Sequence, residues 1–442
     1  HIMHLFTLDS DGEKNSLQEL DESLESGVYS LLYMAQAIHC AGLKKEVNLI
    51  LLSRYVNKVS GDEPTIMPEN SSIFGLGKVI AKENPLLKIK AIDADEKFSV
   101  VDLLNEINNR GEGFITAFRN GERFVEEFVE INDEETEKVD FSVKSDGVYI
   151  ITGGLGGIGL QMAKYLSTVG KANISLVSRT KIPSREEWDQ ILKNSDDSKL
   201  KRQLKTIMDI ESSGANVMCY SADIGNFGEV EKMVSNLKST FGRINGIIHG
   251  AGIGENEPIE STNQDKFKRV LNPKIHGTWI LDKVTKDEQM DFFVLFSSVA
   301  TFFSASGQGG YVAANSYLDS FADYRNNFNK RTITVNWGTW KETGMAFDYG
   351  FNIDTIVKAM TTEQALNGID TVFRKEIYRV LIAEINYDIN KITILEQANF
   401  LLSQDIRNRI ADIKTSGDAH KKMTKRQYQG EVKLLDTDNQ DY

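Results

Sequence analysis

The sequence predicts an α/β fold with two doubly wound subdomains, the first of them truncated. Three observations carry this. Short uncharged runs rich in β-branched residues alternate with segments whose apolar residues recur at helical spacing, across most of the 442 residues. That length suits two units of about 100–200 residues each. One run, Val148-Tyr-Ile-Ile151, passes through Gly154-x-Gly156-x-x-Gly159 into an amphipathic helix, whereas the comparable run Val47 to Ser53 leads into Arg54-Tyr-Val56 with no glycine turn.

Composition narrows the classes. A net charge of −13 argues against nucleic acid as a partner, because phosphate binding needs a concentrated basic face. The two cysteines, Cys40 and Cys219, belong to no CxxC or Cys/His cluster, so disulfides and structural zinc are not expected and a reducing cytoplasm is. No apolar stretch approaches the roughly 18 residues of a membrane span, and His1-Ile-Met-His4 lacks a signal-peptide pattern. The opening His1 suggests a piece of a longer chain.

The first subdomain is assigned to residues 1–141. Asp9 to Ser26 is polar and acidic, with Leu17, Leu20 and Leu24 its large apolar residues, and reads as a solvated, partly helical lead-in closed by Gly27. Val28 to Ile38 has a helical apolar stripe, Val47 to Ser53 is a strand, Ser71 to Glu83 a helix, Leu87 to Asp93 a strand and Ser99 to Asn109 a helix. Phe114 to Phe128 folds back at Asn120-Gly121, a strong hairpin signal. The acidic run Asn132 to Asp140 is then a solvated linker. The second subdomain, 142–400, places strands at Val148 to Ile151, Ile174 to Ser178, Asn216 to Ser221, Gly246 to His249, Phe292 to Ser297 and Thr332 to Trp337, with helices between them. After Asn399 the chain turns polar, and residues 401–442 are expected to be a surface helix and a linker tail ending in Asp441 and Tyr442.

The glycine turn implies a dinucleotide. Thr152-Gly153-Gly154-Leu155-Gly156-Gly157-Ile158-Gly159 removes side chains where the backbone approaches a pyrophosphate at a helix N-terminus. Both subdomains are therefore Rossmann-like, with the cofactor site in the second only. The next strand ends in Ser178 and Arg179, where a carboxylate would repel a ribose 2′-phosphate and a guanidinium attracts it; NADPH is expected. Asp223, ending the third strand, is the expected neighbour of the adenine.

A second constellation is Phe296-Ser-Ser-Val-Ala300 followed by Gly307-Gln-Gly-Gly-Tyr-Val-Ala-Ala-Asn315. A serine at a strand end and a tyrosine opening the next helix can converge on one carbonyl oxygen, with Ser298 orienting a ketone and Tyr311 protonating it as hydride arrives. A nearby cation would help by lowering the tyrosine's pKa from about 10. Asn315 shares the Tyr311 face at i+4.

Thr152-Gly-x-x-x-Gly-x-Gly159 with Ser298 and Tyr311 resembles the short-chain dehydrogenase/reductase superfamily. That superfamily usually carries a lysine four residues after the tyrosine, where this chain has Asn315. The departure resembles the ketoreductase domains of modular polyketide synthases, and Lys274 in Asn272-Pro-Lys-Ile-His-Gly277 matches their earlier lysine. Other similar stretches are His249-Gly-Ala-Gly252, which adds Gly250 to the cofactor residues, Asn336-Trp-Gly338 and Phe74-Gly-Leu-Gly-Lys-Val-Ile80. The resemblance implies Tyr311 as proton donor, Ser298 as hydrogen-bond donor, Lys274 as the cation and Asn315 in the same network. It implies NADPH as cofactor. It also implies a keto thioester carried on the phosphopantetheine of an acyl carrier protein, and neighbouring synthase domains as partners. A free-standing reductase of a soluble ketone and a catalytically silent scaffold are the rival readings. Of the family's two stereochemical markers, an aspartate and a tryptophan, the chain has Asn256 and Phe303 in their places, which leans towards the aspartate-bearing class.

Overall fold

The computed structural model describes all residues except 9–11, 109–112, 133, 135, 255, 399, 417–428 and 437–442. Strand β1 (Ile2–Thr7) opens the chain where the sequence predicts none. Its pattern is masked because Met3, Leu5 and Phe6 are apolar yet exposed. Helices α1 (Leu17–Leu24) and α2 (Ser30–Ala41) follow, joined by a π-helical turn, Glu25–Tyr29. The helical part of the lead-in is Leu17–Leu24, and it is packed rather than solvated: Ser16 caps it by accepting from the Glu19 amide at 3.2 Å, and Leu20 and Leu24 are buried, while residues 9–11 lie outside the described residues. Gly27 does not end it. The glycine lies inside the π turn, where a Cβ would come 3.3 Å from Thr7 Cγ2, so its missing side chain lets the turn seat on β1.

Strand β2 (Val47–Arg54), helix α3 (Pro68–Glu83), β3 (Leu87–Ala94), α4 (Val100–Asn108) and the hairpin β4 (Ile115–Arg119) and β5 (Glu122–Glu130) fall within a few residues of expectation. Asn109 lies outside the described residues. Asn120 and Gly121 both have positive φ, 55° and 87°, as a two-residue hairpin turn requires.

The second half brings β6 (Val148–Thr152), α5 (Gly157–Val169), β7 (Asn173–Ser178), α6 (Trp188–Asn194), α7 (Ser198–Ser212), β8 (Asn216–Ser221), α8 (Phe227–Phe241) and β9 (Gly246–His249). It continues with α9 (Gln264–Leu271), α10 (Ile275–Val284), β10 (Phe292–Ser298), α11 (Gly309–Asn326), β11 (Thr332–Trp337), α12 (Met345–Asp348), β12 (Val357–Lys358), α13 (Thr362–Phe373) and β13 (Arg379–Ile382). Last come β14 (Glu384–Ile385), α14 (Ile389–Leu395), β15 (Leu401–Leu402), α15 (Gln404–Ser416) and β16 (Gln429–Asp436).

One sheet runs β1-β2-β3-β4-β5-β16-β13-β11-β10-β9-β6-β7-β8. From β13 to β8 every pairing is parallel, and the strand order reverses between β9 and β6. Such a reversal leaves a crevice beyond the strands' carboxyl ends, where ligands of open α/β sheets bind. In the first half β1 to β4 follow one another in chain order, with no reversal.

The described residues of the acidic linker are exposed or half-exposed, as expected, and it is tied down at its end: the Val139 amide donates to the Arg374 carbonyl at 2.8 Å, and Phe141 just beyond it stacks on Phe373 with centroids 4.3 Å apart. The expectation for the tail changes in part. From 401 onward the expected helix forms as α15, but one side of it is packed, and the segment expected to be a linker contains a strand. Helix α15 buries Ile406 and Ile410 in a cluster with Phe128, Phe302 and Phe400, and β16 pairs antiparallel with both β5 and β13. The i, i+4 pair of isoleucines was hidden in a segment whose composition is polar. Asp441 and Tyr442 lie outside the described residues. The largest core cluster spans both halves, with Leu51, Phe74 and Leu76 packed in one body with Val312, Ala313 and Tyr317.

Candidate active site

The glycine turn at the end of β6 is demanded by space. A Cβ on Gly153, whose φ is +66°, would lie 2.9 Å from the Gly250 oxygen, and one on Gly159 would collide with the Gly153 oxygen. One on Gly154 would come 2.6 Å from the Ile151 oxygen. Helix α5 then begins with Gly156 as a cap that has no side chain to satisfy its first amides. Those amides and the bare backbone face a cavity of about 1100 Å³ at the sheet's reversal. The cradle fits a dinucleotide pyrophosphate.

Of the expected cofactor residues, Thr152, Gly153, Gly156, Gly157, Ile158, Gly159, Ser178, Arg179, Asp223 and Gly250 line this cavity. Gly154 and Leu155 do not: the first packs against β7 at Leu176, and the second is a core residue whose carbonyl accepts from Gln203 Nε2 at 2.7 Å. That bond holds α7 against the turn, and Lys199, four residues before Gln203 on the same face, joins Arg179 in the cavity wall. Lys199 carries no sequence signal, since it follows a loop of no regular pattern. A roof was also missed. Thr343, Gly344, Met345 and Tyr349 line the cavity beyond Trp337, and a Cβ on Gly157 would strike Thr343.

His249 braces the cradle. Its Nε2 lies 2.9 Å from the Pro273 oxygen, which can only accept, so that nitrogen carries the proton and Nδ1 accepts from the Thr152 hydroxyl at 2.6 Å. Thr152 Oγ1 in turn accepts from the Ala251 amide at 3.2 Å. Burial, with Lys274 nearby, pushes His249 down to about 3, so it stays neutral.

At the other end stand Lys274, Ser298 and Tyr311, all in the cavity wall. Ser298 ends β10 and caps the short turn Val299–Thr301, accepting from the Ala300 amide at 3.2 Å. Tyr311 lies in the first turn of α11. Burial raises its hydroxyl above the usual value, and hydrogen bonds with the Ser298 and Asn315 side chains act the other way. Asn315 does not reach the cavity: it is fully buried and its Nδ2 donates to the Tyr311 carbonyl at 2.8 Å. Lys274 precedes α10 and donates from Nζ to the Phe296 carbonyl at 2.7 Å. Burial lowers its pKa to about 7, opposed by Asp319. Neither Asn256 nor Phe303 lines the cavity, and Phe303 packs edge-on to Phe400 at 5.6 Å.

A parallel sheet with its cradle at the strand reversal and this cluster of hydroxyls and amine across the same cavity belong to the α/β oxidoreductases acting on a keto group. More narrowly, residues 147–342 match the family described as KR domain, and the solved structures similar to the chain include ketoreductases of polyketide synthases. Residues 1–110 match the family described as beta-ketoacyl synthase-like, N-terminal. Among relatives, the 6-methylsalicylic acid synthase of Penicillium patulum is 29% identical over 394 residues, 88% of this chain and 21% of the relative. The chain thus spans about a fifth of the length of the curated relatives it matches. An N-terminal ketoreductase from the macrolactin assembly line superposes with a TM-score of 0.70 at 27% identity, covering 89% of this chain and 74% of the other. An A-type ketoreductase of a modular polyketide synthase superposes at 0.69 and 26% identity, covering 83% and 74%. Among the described residues no helix is long and apolar enough to cross a membrane, and no group of three or more acidic, histidine or cysteine residues could hold a metal ion.

Proposed function

We propose that this chain reduces a keto group on a polyketide thioester to a hydroxyl with NADPH, the thioester being carried on the phosphopantetheine of an acyl carrier protein beside neighbouring synthase domains. The observation that carries the reading is one cavity with a glycine cradle and Arg179 at one end and Ser298, Tyr311 and Lys274 at the other. NADPH, when bound, supplies the hydride. Thr152, Gly153, Gly156, Gly157, Ile158, Gly159 and Gly250 would hold its pyrophosphate and nicotinamide half, Ser178 and Arg179 its 2′-phosphate, and Asp223 its adenine. Ser298 Oγ–H hydrogen-bonds the substrate oxygen, and Tyr311 Oη gives its proton to that oxygen as negative charge develops. The Lys274 ammonium makes the phenol more acidic, and Asn315 fixes the backbone of Tyr311. Residues 1–141 serve as a structural unit and 142–400 as the catalytic one.

The test is NADPH oxidation with a short 3-keto thioester, free and loaded on carrier protein, beside a simple ketone. Faster turnover of the carrier-bound thioester supports the proposal. Equal turnover of all three fits a free-standing reductase, and no oxidation of NADPH fits a silent scaffold. Arg179→Ala should weaken NADPH by about 10-fold or more and NADH within about twofold, because only NADPH has a phosphate for a charge-assisted contact. Equal losses for both cofactors, measured by fluorescence titration, would remove Arg179 from the site.

A further inference from the structure

We propose that helix α3 of the first half is a positioning element for the reduction and that Lys78 is the residue through which it acts. The proposal rests on the roles given above to Ser298 and Tyr311. Those two hydroxyls come from separate segments, the end of β10 and the start of α11, and must share one substrate oxygen. Helix α3 touches both segments. At Gly75 a Cβ would lie 2.8 Å from the Val312 oxygen and 3.0 Å from Ala313 Cα, so the absent side chain brings α3 against the residues directly after Tyr311.

Three residues on, and so on the same face, Lys78 Nζ donates to the Thr301 carbonyl at 2.8 Å. Thr301 closes the turn that Ser298 caps: its hydroxyl donates to the Ser298 carbonyl at 3.1 Å. The Asn336 amide lies 3.0 Å from both Ser297 Oγ and Thr301 Oγ1, fastening the turn from beneath. Lys78 is 4% exposed, an expensive place for an amine. Its charge is answered by Glu126 on β5 at 4.0 Å, which also lies 3.6 Å from Arg379, itself 3.4 Å from Asp319. An apolar side chain would fill the space without desolvating a charge. The amine, unlike a hydrocarbon, can grip the carbonyl of the serine's turn.

The experiment uses the full chain. Lys78→Met should lower kcat about 10- to 100-fold, the effect of a small displacement of a reacting group, with the NADPH Kd within about twofold of the parent. Because the single variant leaves Glu126 short of a countercharge, Lys78→Met with Glu126→Gln is made as well. This pair should melt near the parent and still show the reduced kcat. Parental kcat in the double variant would mean that Lys78 only balances Glu126, and the proposal would be overturned. Equal losses in kcat and NADPH affinity would mean a general loosening and would overturn it too. Tyr311→Phe is assayed alongside. If that variant keeps parental turnover, the site assignment falls and this proposal with it; if it is inactive while the Lys78 variants keep parental kcat, only this proposal falls.

Discussion

Tyr311→Phe is expected to lower kcat for the keto thioester by about 10²- to 10⁴-fold, the usual worth of a positioned general acid. The ring stays, so the wall of the cavity keeps its shape and NADPH affinity should hold within about twofold. What goes is a hydroxyl with a transferable proton held between the side chains of Ser298 and Asn315. Ser298 would still polarise the carbonyl, which leaves a residual rate above the solvent reaction. Steady-state assays with a fluorescence titration of NADPH separate the two effects. A variant that turns over like the parent would assign the proton to another source and empty Tyr311 of its role.

The second large effect belongs to Lys274. Lys274→Met should reduce kcat by about 10²- to 10³-fold at neutral pH and remove the alkaline limb of the pH–rate profile. Burial lowers this amine from the usual 10.5 to about 7, so the cation is present below about pH 7 and is lost as pH rises through it. The parent's rate should fall over that range. Stability moves the other way. Between about pH 7 and 10.5 the unfolded chain holds this proton and the folded chain does not, so this group's contribution to stability rises with pH across the window. Below it both states are charged and the full desolvation penalty remains. Lys274→Met should flatten both trends, and His249, neutral from about pH 3 upward, adds nothing to either. A variant with an unchanged alkaline limb would show that another group titrates there.

Much of this architecture was legible because it is encoded locally. The strands of the second half are short uncharged runs, the hairpin is announced by Asn120-Gly121, and Gly154, Gly156 and Gly159 of the cradle are each crowded by backbone within a few residues of them. What escaped depends on partners distant in sequence. Strand β1 has no alternation of its own and is defined by pairing with β2. Strand β13 is four residues long and exists as a neighbour of β11. Gly27 resembles a helix stop until Thr7 is placed against it. In the site, Lys199 and the roof residues Thr343 to Tyr349 belong to segments with no motif, and they reach the cavity only through tertiary placement. The i+4 spacing places Asn315 on the Tyr311 face, where its side chain hydrogen-bonds that of Tyr311 and, as the spacing alone does not announce, also holds Tyr311's carbonyl from inside the helix.

The charges buried where α3 and β5 meet α11 and β13 bear on how such chains can be recombined. Lys78 and Glu126 come from the first half, Asp319 and Arg379 from the second, and Glu126 and Arg379 answer each other across the joint. A chimera that grafts a foreign first half bearing an apolar residue at position 78 would leave Glu126, if kept, with Arg379 as its ion partner. One lacking Glu126 would leave Arg379 leaning on Asp319 alone. Stranding one member of a buried pair typically costs about 3–5 kcal/mol, a large share of a domain's stability. The crossover points that preserve this account lie outside residues 68–382, so that the four charges travel together, and Gly75 must accompany them to keep the helices in contact.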